Sequence, residues 1–242
     1  MSGHSHWKQI KRGKNLADQK RGTLFTKLGN AITIAAKEGG GDQETNFKLR
    51  LTIENAKKTN MPKENIIRAI KRGTGELKGI EIEEIVYEAI GPNGIALIIS
   101  ALTDNKNRTI GNLRRILNKY GVNLAGANSV AWMFEKKGII KIIDYRKKIR
   151  DLEKFELALI EKGAEDIKEK NEELTIYSKP ENLQKVKEYL EKQNIALDYA
   201  ELEPEAKNKV KIEDAKLKEK IENLFNELDA DEDINDYYTN IQ

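Results

Sequence analysis

The densest run of polar side chains in this sequence of 242 residues is Thr103-Asp104-Asn105-Lys106-Asn107-Arg108-Thr109. It joins an apolar stretch to a helical pattern. Asp104 or Asn105 can cap that helix, and Arg108 can hold a phosphate at its N-terminus. A cap with a salt bridge is an equal reading of the same residues. Near the start stands Ser2-Gly3-His4-Ser5-His6-Trp7. With Met1 removed, His4 becomes a third residue that can hold Cu(II) or Ni(II) in a plane, as imidazoles do adventitiously. Trp7 either stacks on a base among cations that meet phosphates or anchors the segment to a bundle.

Other candidates are weaker. Gly39-Gly40-Gly41 lacks the Lys-Ser/Thr of a phosphate loop and reads as a helix stop. Lys71-Arg72-Gly73-Thr74-Gly75 is as weak a phosphate loop. Asp229-Ala230-Asp231-Glu232-Asp233 lacks the Gly and bidentate Glu of a calcium loop and reads as a solvated helix end. There are no cysteines and two histidines, which removes disulfides, thiolate sites and His-based triads. The pair Asp104 and Arg108 lacks a base. The expectation is a protein that is not an enzyme, with no metal and no cofactor.

The elements that must carry these residues show in the apolar spacing. Phe25, Leu28, Ile32 and Ala35 repeat at helical intervals, as do Leu49, Ile53 and Ala56. A third helix opens at Pro62 with Ile66, Ile67 and Ile70 inward and ends at Gly73. Three short helices over about 20–75 form a small bundle, with residues 1–22 a basic arm before it. From Ile85 the period becomes two. Strands at 85–90 and 95–102 flank the turn Gly91-Pro92-Asn93-Gly94. A helix at 106–120 and a strand at Ser129–Phe134 follow. Beyond them come a strand at 138–143, a helix at 152–162, strands at 164–168 and 174–177, a helix at 180–193 and a strand at 196–202. This β-α-β-β-α-β order is ferredoxin-like. A helix at about 213–228 and a strand at about 234–240 cannot stand alone, so they return to complete the sheet begun at 80.

The fold class expected is α+β: a helical N-terminal domain, then two α/β (ferredoxin-like) domains, the third inserted into the second. The boundaries expected are 1–76, 80–134 with 205–242, and 135–204. Leu, Ile, Val and Phe make up about a quarter of the chain, enough for a core. No apolar run approaches a membrane span, and the start has no secretory apolar region. A cytoplasmic protein with no membrane and no small-molecule substrate follows.

A net charge of +3 hides a polarity. Residues 1–78 carry +10, residues 79–134 carry 0, residues 135–204 carry −2 and residues 205–242 carry −5. A basic third opposed to an acidic end points to nucleic acid. Lys outnumbers Arg 33 to 10, as A/T-rich codons alone would produce, so position counts for more than number.

Several motifs together resemble the YebC/PmpR family. They are Met1-Ser2-Gly3-His4-Ser5 with Trp7, Ile10 and Lys11; Phe25-Thr26-Lys27-Leu28; Ala35-Ala36-Lys37-Glu38-Gly39-Gly40-Gly41-Asp42; and Asn60-Met61-Pro62-Lys63 with Arg68-Ala69-Ile70-Lys71-Arg72-Gly73. Tyr87-Glu88, Gly91-Pro92, Gly94, the 103–109 run and Ser129-Val130-Ala131-Trp132-Met133-Phe134 extend the likeness. His6, Ile90 and Val122 depart from the family pattern. The resemblance implies a cytoplasmic, DNA-binding transcriptional regulator with three domains. It is also compatible with translation, because mitochondrial relatives activate synthesis of a cytochrome oxidase subunit and bacterial members are linked to ribosomes stalled on proline runs.

The expected partner is therefore DNA, or ribosomal RNA on the ribosome. The expected phosphate contacts are Lys8, Lys11, Arg12, Lys14, Lys20, Arg21 and Lys27. Lys71, Arg72 and Arg108 extend that patch where the domains share a cleft. No helix carries an uncommitted Arg/Asn/Gln cluster for base readout.

Overall fold

The computed structural model of the chain describes residues 18–79 and 81–242, with side chains from Arg21 onward. It packs as two compact units. The first runs to Phe134 and resumes at Ala206; the second is Glu135–Glu205.

The first unit begins with α1 (Asp18–Gly39), α2 (Phe47–Lys58) and α3 (Lys63–Gly73). Leu28, Ile32, Ala35, Leu49, Ile53, Ala56, Ile66 and Ala69 form one apolar core among them. The glycine triplet ends α1 because Gly40 turns to φ +82°, a conformation that costs other residues a steric clash. Asn46 closes that helix and opens the next. Its Nδ2 donates to Ala35 O and Gly40 O at 2.8 Å each, while its Oδ1 accepts from Leu49 N at 3.0 Å.

The α3 register differs from expectation at one place. Ile66 and Ala69 face the core, whereas Ile67 is exposed. Ile67 lies about 100° around the helix from Ile66, at the edge of the apolar stripe, and the core is filled by Ile66 and Ala69 with Ile70 packed against them. Helices α1 and α3 meet at Gly73. A Cβ there would lie 2.3 Å from Thr33 O and 2.7 Å from Ala36 Cβ. Gly73→Ala is expected to cost about 2 kcal/mol through this clash. Thermal denaturation should show the Tm lowered by roughly 4–8 °C.

The sheet of this unit has the order β3-β1-β2-β8, with β1 (Glu83–Ile90), β2 (Ala96–Thr103), β3 (Asn123–Ala125) and β8 (Ile234–Thr239). β8 pairs antiparallel with β2 from Leu97↔Thr239 to Ala101↔Ile234. Helices α4 (Lys106–Lys119) and α8 (Ala215–Ala230) cover one face. Leu97, Ile99 and Ala101 of β2 pack there with Leu113, Leu117, Leu224 and Leu228. The alternate residues of β2 are buried as well. Ala96 and Ile98 pack with Val130, Phe134 and Tyr238, and Leu102 packs with Ile34 of α1 and Ile82. Two-sided burial explains why β2 reads as a continuous apolar run.

The strand expected at Ser129–Phe134 is corrected. The pairing strand is Asn123–Ala125, and Ala131–Met133 is a single 3₁₀ turn leading into β4 (Phe134–Ile143). The Glu88 carboxylate accepts from the backbone N–H of Asn128 and Val130 at 2.6 Å and of Ala131 at 2.9 Å. Those donors are thereby satisfied without a strand partner. Burial pushes the Glu88 carboxyl up, but these N–H groups outweigh it and hold it below the usual range.

The second unit holds most of β4, with α5 (Tyr145–Lys148), α6 (Leu152–Glu161), β5 (Ala164–Lys170), β6 (Glu173–Ser178), α7 (Leu183–Lys192) and β7 (Tyr199–Ala206). Its sheet order is β5-β6-β4-β7. The two strands that open and close the hairpin, β5 and β6, lie on one side of β4, and β7 lies on the other, the ferredoxin-like arrangement. Ile140 and Ile142 on β4 are buried with Leu174 and Ile176 on β6, Leu159 on α6 and Val186 and Leu190 on α7. Among the described residues, no helix is long and apolar enough to cross a membrane.

Candidate nucleic-acid interface

The expected cations fall into four groups. Lys8, Lys11, Arg12 and Lys14 lie outside the described residues, as does the side chain of Lys20, whose backbone is in the first turns of α1. Arg21 is exposed on α1. Lys71 and Arg72 stand on α3. Lys27 and Arg108 are engaged within the fold.

Lys27 is corrected as a phosphate contact. It is 2% exposed. Its Nζ donates to Asp229 O at 2.8 Å and to Leu228 O at 3.4 Å, the last carbonyls of α8. A cation at a helix C-terminus meets both unpaired carbonyls and the negative end of the helix dipole. Burial pushes the Lys27 ammonium down to about 8. Asp229, Asp231, Asp236 and Glu232 pull the other way without overcoming it. Lys27 therefore fastens the bundle to the α/β part of the same unit.

Arg108 is paired within the fold while its side chain remains about half exposed. The residue that caps α4 is Asn105, whose Oδ1 accepts from Arg108 N at 3.0 Å. The Arg108 guanidinium donates to Asp104 Oδ1 at 2.8 Å and to Asp233 Oδ1 at 2.9 Å. Thr109 Oγ1 donates to Asp233 Oδ2 at 2.8 Å. Asp233 is buried, so the 103–109 run ties the start of α4 to the turn between α8 and β8. Thr103, Asp104, Asn105, Arg108 and Thr109 all hydrogen-bond within the fold, so most of the polar density of the run is structural.

Arg72 and Arg108 do line one cleft, of about 690 Å³. Its walls also carry Asp104, Asp231, Glu232 and Asp233. Four carboxylates against two guanidiniums leave it acidic, and a phosphate chain is repelled from it. The cationic surface lies instead on α3. Arg68, Lys71 and Arg72 stand at i, i+3 and i+4, on one helix face. Arg68 and Lys71 are exposed and Arg72 is half-buried. None of the three forms an ion pair with a described residue, whereas Lys37 is held by Glu81 and Lys48 by Glu38. Arg68 was absent from the expected contacts, although its i,i+4 spacing to Arg72 was legible.

Comparisons with known proteins agree with this architecture. Residues 5–76 match the family model described as the TACO1/YebC protein N-terminal domain, and residues 82–241 match that of the TACO1/YebC second and third domain. A relative from Thermotoga maritima is 47% identical over 242 residues, covering 100% of this chain and 94% of its own. One from Natranaerobius thermophilus is 46% identical over 240 residues, covering 99% and 96%. Both bear the name probable transcriptional regulatory protein. The crystal structure of a conserved hypothetical protein from Aquifex aeolicus superposes with a TM-score of 0.81 at 40% identity, covering 93% of this chain and 91% of that one. Two matched models that together span nearly the whole chain, and relatives this similar along their full length, establish that the chain belongs to the TACO1/YebC family.

Proposed function

We propose that this chain is a cytoplasmic, non-enzymatic regulator of gene expression that binds DNA through the phosphates. The observation that carries the reading is the row Arg68, Lys71 and Arg72 on one face of α3, ion-paired to no described residue, with Arg68 and Lys71 exposed and Arg72 half-buried. Three cations at this spacing meet successive phosphates and gain affinity by releasing counterions. The basic residues 1–21 add charge on the same side of the sequence. The names of the relatives support regulation at the level of transcription.

The binding test is an anisotropy titration of duplex DNA against salt, with the full chain. A salt slope near −5 is expected for about six neutralised phosphates. Binding without salt dependence would overturn the reading. Arg108→Gln is expected to leave affinity within about twofold, since two carboxylates already neutralise it, while lowering stability by about 1–2 kcal/mol. Urea denaturation beside the same titration checks both halves.

The second reading is a ribosome-associated translation factor contacting rRNA. The outer face of α3 favours it in one respect: it offers cations and Ile67, while its one amide, Asn65, is half-buried in a groove beside α1 rather than set to read a major groove. Co-sedimentation with ribosomes against promoter enrichment separates the two.

A further inference from the structure

A groove of about 260 Å³ runs between α1 and α3. Its apolar surface comes from Phe25 and Met61. Its polar walls hold Asn30 on α1 and Asn65 on α3, beside Arg68 and Arg72. The two amides are half-buried, and neither side chain hydrogen-bonds to a described residue. Each amide offers two donors and an acceptor, the pattern that matches the edge of a base.

We propose that this groove seats one unstacked nucleotide of a bound strand. Arg68 and Arg72 hold its phosphate, Phe25 and Met61 pack on its base, and Asn30 and Asn65 read the base edge. The inference rests on the nucleic-acid reading above and adds base selectivity to it. Three features carry it. The groove has room for one base and is too narrow for a duplex. The guanidiniums stand beside the amides, so phosphate and base are met together, as single-strand readers do. The groove also shares Thr26, Asn30 and Arg72 with the acidic cleft, whose wall is Asp231, Glu232 and Asp233. A backbone entering along α3 is stopped there by repulsion, which limits the site to one nucleotide.

Gly29 leaves the floor open. A Cβ at that position would sit 3.7 Å from Met61 Cε, in ordinary contact. A larger side chain there fills the groove and removes no charge.

The test uses the full chain and 12-residue homopolymers of A, C and T as DNA and of A, C and U as RNA, read by anisotropy across a salt series. The wild type is expected to prefer one base at least fivefold in either sugar series. Asn30→Leu and Asn65→Leu should bring that ratio within twofold and leave the salt slope unchanged. Gly29→Leu should act the same way, with circular dichroism confirming its fold. Arg68→Gln should weaken all homopolymers alike and flatten the slope by about 0.7. Equal wild-type affinity for every base, or a preference that survives both Asn variants, overturns the groove while salt-dependent binding keeps the regulator reading. Absence of salt-dependent binding overturns both.

Discussion

Replacing Arg68, Lys71 and Arg72 together with Gln is expected to weaken duplex binding by about 10²-fold at 0.1 M salt and to flatten the salt slope by about 3. Arg68 and Lys71 are exposed on this face of α3 and Arg72 is half-buried at the rim of the acidic cleft, and none of the three is ion-paired to a described carboxylate. Removing three contacts removes three released counterions, and the effect shrinks as salt rises. The control changes the same charge elsewhere. Lys154, Lys162 and Lys170 are exposed in the second unit, and their replacement with Gln should leave affinity within twofold. Equal losses in both triple variants would mean that net charge, rather than the α3 face, governs binding. The measurement is an anisotropy titration of one duplex at several salt concentrations.

Lys27→Ala is expected to destabilise the first unit, with a penalty that grows at alkaline pH. The variant removes the Lys27 hydrogen bonds to Leu228 O and Asp229 O and empties a buried position, costing about 2 kcal/mol at pH 7. The pH sign follows from the lowered Lys27 value of about 8 against 10.5 for the ordinary group. Between those two values the unfolded chain holds a proton that the folded chain has released. The wild type therefore gains stability as pH rises through that window, by up to about 3 kcal/mol. Below about 8 both states are protonated and the contribution is flat. The neutral amine still donates to both carbonyls, so the contact survives the loss of charge. Asp229, Asp231, Glu232 and Asp236 face the group and set how far the window lies above neutrality. Calorimetric melts of both proteins at pH 7 and pH 10 check this. An unchanged difference between the two pH values would show that Lys27 keeps its proton.

Lys27 and Arg108 show where sequence reading stops. Lys27 and Arg72 look alike in the basic N-terminal third, and both sit on amphipathic helices. Lys27 turns inward because α8, some 200 residues later in the chain, ends against α1 and presents the Leu228 and Asp229 carbonyls there. Arg108 is paired for a related reason. Asp233 is distant in sequence and arrives only when β8 pairs with β2. Local pattern carries no record of either encounter. The misplaced strand at Ser129–Phe134 has the same origin, because the Glu88 carboxylate that occupies its N–H groups comes from β1.

What the sequence determined by itself was everything with a local cause. Helical spacing of Leu28, Ile32 and Ala35, the stop at Gly40, the turn at 91–94 and the β-α-β-β-α-β order read over 138–202 follow from side-chain periodicity and backbone sterics within a few residues. So does the charge polarity, a property of composition along the chain. Tertiary structure alone decided which cations remain available. A lysine's charge is usable only where packing leaves it unpaired and in water, and the pairing of Lys27 and Arg108 depends on residues brought together over more than 100 positions. It also decided that Asn30 and Asn65, unremarkable on their own helices, share one groove with Arg68 and Arg72. That convergence arises because α1 and α3 cross closely at Gly73, and the crossing places their polar flanks side by side.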